Sequence, residues 1–297
     1  MSDRVGLVGL GIMGSAYAGH LLDAGLAVGG FDVDPAALAA FVERGGRAAP
    51  SPRALAEQSE IVISALPSVA ALEAAFFAAD GLAAGARAGL VVVEASTFSL
   101  AAKESTRARL AERGAAMLDA PVSGTGSQAR VRDIAIYASG ERAAYDAARP
   151  VLERFARSVR YVGAFGNGSK LKYIANLLVT IHNLSTAEAV VLAQKAGLDP
   201  LEMLDVVGDG AGASRMLQVR GPMMAAGSYD EAAMKLEVYQ KDLDIIAAFA
   251  QEVGAPTPLF SLSAMFHGAA LAQGRGKQDT AAIASVLRTM AGLPADP

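Results

Sequence analysis

The chain has no cysteine among its 297 residues. Without thiols there is no disulfide and no thiolate metal site, and an intracellular, cytoplasmic setting is expected. Histidine is scarce as well, with 3 in all, so no metal centre is expected. An excess of charge is also missing: 26 basic residues against 30 acidic ones give a formal net charge of -4. That balance offers no broad basic surface, and neither nucleic acid nor an acidic membrane is an expected partner. No apolar run reads as long enough to span a bilayer, since LVVVEA is broken by Glu94. The amino terminus, MSDRVGLVGLGIMG, carries charge and enters a strand pattern at once, which is unlike a signal peptide.

What is present is a hydrophobic content of 53%, enough for a large core in one or two domains. In the first half, short apolar runs alternate with helical segments. The strand candidates are RVGLVGL, LAVGGFD, EIVISALP, GLVVVEAS, AAMLDAPV and DIAIYASG. Asp34-Pro35 and Ser51-Pro52 each set a capping side chain before a proline at the first helical position. Gly25, Gly45 and Gly114 fall where helices should stop. Strands alternating with helices predict a parallel, doubly wound sheet. From about Gly166 the strand runs vanish, and helices are predicted over Lys170 to Ala196, Pro200 to Val207, Met234 to Glu252, Pro258 to Gln273 and Thr280 to Met290. The expected class is α/β: an N-terminal Rossmann-type doubly wound sheet over residues 1–165, followed by an all-α C-terminal domain over residues 166–297.

Gly9-Leu10-Gly11-Ile12-Met13-Gly14 is a G-x-G-x-x-G between a strand and a helix, the context that a dinucleotide requires. Gly9 permits a tight turn, Gly11 lets backbone approach a pyrophosphate, and Gly14 allows close helix–strand packing. Asp32 ends the second strand, where a carboxylate accepts from both ribose hydroxyls. A 2'-phosphate would meet that charge, and Val33 follows in place of an arginine, so NAD is favoured over NADP. The strand ends Ser64-Ala65-Leu66-Pro67 and Glu94-Ala95-Ser96-Thr97 should edge the same crevice. Further on, GNGSKLKYIAN holds Lys172 and Asn176 four apart, on one face of a helix, while Lys170 projects elsewhere.

Four blocks in order, GLGIMG, DAPVSG from Asp119 to Gly124, GNGSKLKYIAN, and Lys241-Asp242-Leu243, resemble the β-hydroxyacid dehydrogenases across the whole chain. The resemblance implies NAD(P)-dependent oxidation of a short hydroxy acid. It makes Lys172 the catalytic lysine and Asn176 a substrate-holding amide. Ser123 and Gly124 become the receivers of the substrate carboxylate, with Thr125 beside them narrowing or polarising the pocket. Leu66, Pro67, Thr97 and Lys241 become cofactor contacts. Three positions depart from the family's habit: Thr125 replaces a second glycine, Arg132 stands where the family turns on glycine, and Ala71 replaces an asparagine.

Removing a hydride from a hydroxyl carbon requires the hydroxyl proton to leave as well, and a lysine accepts it when burial and a nearby positive charge favour the neutral amine. Of the histidines, His20 and His267 lie inside helices and read as structural, and His182 lies ten residues beyond Lys172. The matched substrate blocks carry no arginine for a second acid group, so a small monocarboxylate is expected. Running in reverse, the same residues would make a reductase of an aldehyde or keto acid; a dinucleotide sensor would need neither Lys172 nor DAPVSG. The apolar stretches IIAAFA and SAMFHGAALA predict a homodimer or homotetramer formed through the helical half.

Overall fold

The computed structural model describes residues 4–294. The chain forms two compact units, the first ending at Lys172 and the second starting at Tyr173.

The first unit is built on six parallel strands: β1 (Arg4–Val8), β2 (Ala27–Phe31), β3 (Arg47–Ala48), β4 (Ile61–Ser64), β5 (Val91–Glu94) and β6 (Ala116–Asp119). Their spatial order is β3-β2-β1-β4-β5-β6, the doubly wound order that reverses direction beside β1. The middle strands β4 and β5 are buried at every residue, because helices cover both faces of a parallel sheet. One core layer gathers Leu7, Tyr17, Leu21, Ile63 and Val93; the other gathers Leu55, Val62, Phe76, Val92 and Leu110.

The connecting helices are α1 (Ile12–Asp23), α2 (Pro35–Glu43), α3 (Pro52–Gln58), α4 (Val69–Phe77), α5 (Leu82–Gly85), α6 (Leu100–Ala111), α7 (Gly126–Arg130) and α8 (Arg142–Leu152). The expected caps are in place: Asp34 accepts from Ala36 N, and Ser51 accepts from Ala54 N. A second sheet joins β7 (Val122–Ser123), β8 (Ala135–Ala138) and β9 (Ser158–Tyr161), with β7 antiparallel to β8 and β9 parallel to it. Neither β3 nor β9 is predicted from the sequence. β3 is two exposed residues, and β9 alternates over four residues only, Ser158-Val159-Arg160-Tyr161, in a half-exposed run.

Helix α9 (Asn167–Lys195) begins in the first unit and continues into the second, where α10 (Pro200–Gly208), α11 (Arg215–Ala226), α12 (Leu236–Glu252), α13 (Pro258–Ala272), a 3-10 turn (Thr280–Ala282) and α14 (Ile283–Met290) follow. Leu184, Val190, Met224, Tyr229, Leu236 and Ile283 form this unit's core. Helix α11 is an addition to the sequence reading, which Gly221-Pro222 interrupts. Ser214 nevertheless caps it through Leu217 N, and Gly227 ends it at φ 65.

By length and composition α9 is long and apolar enough to cross a bilayer, which corrects the expectation that no segment is. One face of it packs inward: Asn176, Thr180 and Asn183 are buried and hydrogen-bonded to Asp242, Tyr239 and Thr280.

Candidate active site

The glycine loop lies between β1 and α1. Gly9 has φ 91, and a Cβ there would sit 2.3 Å from the Ala65 carbonyl; one on Gly14 would sit 1.9 Å from the Gly9 carbonyl. Packing therefore demands both glycines. Gly11 differs: a Cβ there would meet nothing within 4 Å, and Gly11 and Ile12 are both exposed. The protein itself has no need of a glycine at position 11, whereas a pyrophosphate approaching the backbone does. Gly11 also precedes α1 without any side-chain cap, leaving the helix's first N–H groups directed outward. The residues present fit a dinucleotide.

Asp32 accepts from Leu10 N through Oδ2 and from Asp34 N at 2.8 Å through Oδ1. Its carboxylate thus ties the glycine loop to the end of β2 while each oxygen keeps a lone pair for a ribose hydroxyl. Asp34 caps α2, and Val33 is 88% exposed. After β4, Leu66 N donates to Ser96 Oγ at 2.9 Å, joining the Leu66-Pro67 turn to the segment that holds half-buried Thr97.

Ser123 ends β7, paired with Ala135, and Gly124 follows at φ 144, where a Cβ would press on Ile134 at 2.6 Å. Thr125 is the N-cap of α7 in a capping box with Gln128, its Oγ1 also 2.9 Å from Ser127 Oγ. This local bonding already engages the hydroxyl that the sequence reading directs at a substrate pocket. Arg132 sits at φ 60, the left-handed region that glycine takes more readily, and donates to the Glu153 carbonyl at 2.9 Å.

Helix α9 carries Lys172, which is 8% exposed, and the exposed Lys170 two residues earlier. The first turn of α9 is held by Asp119, whose Oδ2 accepts from Ser169 N and whose Oδ1 accepts from Ser169 Oγ, both at 2.7 Å. Asp119 also pairs with Lys103, which pairs with Glu94; none of the three has exposed surface. Burial pulls the Lys103 ammonium towards neutrality, but the charges of Glu94 and Asp119 and the hydrogen bonds to them outweigh it and hold its pKa above the ordinary lysine value.

In the second unit, Asn176 Nδ2 donates to Asp242 Oδ2 at 2.8 Å, and Lys241 Nζ lies 3.0 Å from Asp242 Oδ1. Asp242 so connects two residues singled out from the sequence, and its own role is not evident there. Tyr239 donates to the Asn176 carbonyl at 3.0 Å; burial holds its hydroxyl neutral, with a pKa above the ordinary tyrosine value. His267 bonds through Nε2 to the Leu236 carbonyl and His20 through Nε2 to the Ala129 carbonyl, each at 2.9 Å; a carbonyl only accepts, so Nε2 carries the proton in both.

Residues 4–163 match the family described as the NAD binding domain of 6-phosphogluconate dehydrogenase. Residues 166–287 match that described as NAD-binding of NADP-dependent 3-hydroxyisobutyrate dehydrogenase. An L-threonate dehydrogenase of Cupriavidus necator is 34% identical over 96% of this chain and 96% of its own. A 3-hydroxyisobutyrate dehydrogenase of Pseudomonas aeruginosa is 33% identical over 89% of this chain and 90% of its own. Among solved structures, a 3-hydroxyisobutyrate dehydrogenase from Salmonella typhimurium superposes with a TM-score of 0.85 at 34% identity, over 95% of this chain and 99% of that one. The Mycobacterium tuberculosis 3-hydroxyisobutyrate dehydrogenase, described with L-serine, gives a TM-score of 0.87 at 28% identity, over 97% and 100%.

Proposed function

The chain belongs to the β-hydroxyacid dehydrogenase family and is an NAD(P)-dependent hydroxyacid dehydrogenase; on that premise we propose that it oxidises a short β-hydroxy acid, 3-hydroxyisobutyrate-like, to the semialdehyde or keto acid with Lys172 as general acid/base. The observation that carries this reading is the contrast between two lysines of one helix. Lys172 is buried one turn from buried Asn176, while Lys170 is exposed.

A bound pyridine nucleotide supplies the hydride acceptor. The chain's own residues do the rest. Gly9 through Gly14 and the start of α1 hold the pyrophosphate, and Asp32 holds the ribose. Leu66, Pro67, Thr97 and Lys241 complete the cofactor contacts. Ser123 and Gly124 bind the substrate carboxylate, with Thr125 fixing the loop through its cap. Lys172 takes the hydroxyl proton as the carbon is oxidised, and Asn176 orients the hydroxyl without exchanging its proton. NAD is the favoured cofactor, because a 2'-phosphate would face Asp32 with no arginine at position 33. Exposed Leu259, Leu262 and Met265 line up on α13 at helical spacing, which supports a homodimer or homotetramer through this unit.

Steady-state kinetics over short 2- and 3-hydroxy acids, with NAD and NADP, test the reading. Lys172→Ala should lower kcat by about 100-fold or more while leaving nucleotide binding in place, and Lys170→Ala should be nearly silent. Full turnover without Lys172 would sink the mechanism. A wild-type preference for NADP would remove the Asp32 argument but leave the lysine untouched.

A further inference from the structure

Glu94, Lys103 and Asp119 are buried charges with no part in the proton and hydride chemistry. Glu94 ends β5, Asp119 ends β6 and Lys103 projects from α6. The ammonium lies 2.8 Å from Glu94 Oε2 and 2.7 Å from Asp119 Oδ1. Beyond the lysine the hydrogen bonds continue in both directions. Glu94 Oε1 accepts from Ser96 N at 2.9 Å, and Ser96 Oγ accepts from Leu66 N, in the turn after β4. Asp119 accepts from Ser139 Oγ at 3.1 Å and twice from Ser169, which stands on α9 three residues before Lys172. Gly168 shows how closely this turn is seated: a Cβ there would lie 2.2 Å from the Tyr137 carbonyl and 2.8 Å from that of Asp119.

Stability alone does not account for such a cluster. Apolar residues of similar volume often replace a buried ionic triad at no loss, whereas removing one member leaves an uncompensated charge. Two carboxylates and one ammonium leave one net negative charge, set against the N-terminus of a 29-residue helix, where the helix dipole favours an anion. Were Lys103 absent, the carboxylates would repel in a dry space and one would take up a proton. A protonated Asp119 would turn one of its two oxygens into a donor and a weaker acceptor, and so loosen its hold on the Ser169 N–H and O–H.

We propose that Lys103 is a positioning residue for the reaction. It keeps Glu94 and Asp119 ionised together, so that Asp119 fixes the first turn of α9, and with it Lys172, relative to the cofactor turn at Leu66. Tyr17 also faces Glu94, and its hydroxyl is held neutral by burial and then by that carboxylate, so it adds no charge to the cluster. The inference rests on reading Lys172 as the acid/base.

Lys103→Met removes the charge and keeps most of the volume. It should lower kcat by about 10- to 100-fold, the scale of a misplaced catalytic group, with KM and NADH binding by fluorescence changed by less than about threefold on the same argument. The acid limb of its kcat–pH profile should move up, because one carboxylate now takes up a proton more readily. Adding Glu94→Gln to Lys103→Met removes the competing carboxylate, so that Asp119 carries the single negative charge, and should recover about tenfold of the loss if an ionised Asp119 is what the helix needs. A Lys103→Met enzyme with wild-type kcat and pH profile overturns the proposal. So does equal loss in the single and double variants, which marks a packing role. If Lys103→Met does not fold, Ser169→Ala takes its place: it deletes one donor to Asp119 without touching the ion pairs, and unchanged kcat there also overturns the idea. Lys172→Ala is measured alongside. If it keeps full turnover, the functional reading fails; if it is inactive and Lys103→Met is normal, only the positioning role fails.

Discussion

Asp119 and Asp279 are carboxylates without exposed surface, one in each unit, and they differ in the balance of charge around them. Asp119 shares one lysine with a second acid, and its remaining capacity goes to Ser139 and the first turn of α9. Asp279 has Arg220 to itself at 3.0 Å and accepts from the backbone of Ala233, Met234 and Ala281. The first cluster carries net charge and ends on the helix that presents Lys172. The second is neutral and ties a turn, α11 and the start of the 3-10 turn together. Buried ion pairs are thus put to two uses in one chain, one serving placement and the other cohesion.

That contrast is most exposed to test at Asp279. Asp279→Ala leaves Arg220 buried without its partner and should cost about 3–5 kcal/mol of stability in chemical denaturation, with kcat per folded molecule unchanged. A loss under about 1 kcal/mol would show that the pair does not hold the helical unit.

Asp242 is the helical unit's link to the proposed chemistry, and a smaller effect is expected there. Asp242→Ala removes the acceptor of Asn176 Nδ2 and the partner of Lys241, and should lower kcat/KM by roughly 1.5–3 kcal/mol, a value typical of hydrogen bonds to a charged group. Unchanged substrate affinity in steady-state kinetics would mean that Asn176 needs no such support.

Arg132→Gly is a control in the first unit, away from its buried charges. Relief of the left-handed φ should raise stability, read from the denaturation midpoint, by at most about 1 kcal/mol, less what is lost with the bond to Glu153 and to the freedom of glycine in the unfolded chain. A lower midpoint would show that this bond matters more than the backbone.

The smallest expected effect is a difference in pH response. Burial lowers the pKa of His267, whose contribution is therefore complete above the ordinary value of 6.5 and is lost as pH falls through the lower folded value. Lys103 is shifted upward, so its contribution is complete below the ordinary lysine value and is lost only as pH rises through the higher folded one. Mild acidification should thus weaken the helical unit through His267, and His267→Gln should flatten stability between pH 7 and about 5. An unaltered slope in that variant would assign the acid response to other groups.

Much of this arrangement is legible in the linear chain. The glycine loop, the proline-preceded caps and the strand–helix alternation are local patterns, and the doubly wound sheet follows from them. Strands β3 and β9 escape because they are short, two and four residues, and pairing with a neighbour completes them. Helix α11 escapes because a Gly-Pro pair outweighs its caps on paper. Glu94 reads as a break in an apolar run and as the start of a strand end at the crevice, and nothing in the linear chain singles out Lys103.

Period, capping and backbone permissiveness act over a few residues, so the sequence by itself determined the class of fold, the glycine loop between β1 and α1 and the face that Lys172 shares with Asn176. The meeting of Glu94, Lys103, Asp119 and Ser169 was decided by the tertiary structure alone. Their positions span dozens of residues, and only the parallel register of β5 and β6 brings the two carboxylates side by side, Glu94 opposite Asp119, where one ammonium can serve both. A charge's partner in a dry interior is set by which chain ends the sheet aligns, and no local pattern records that.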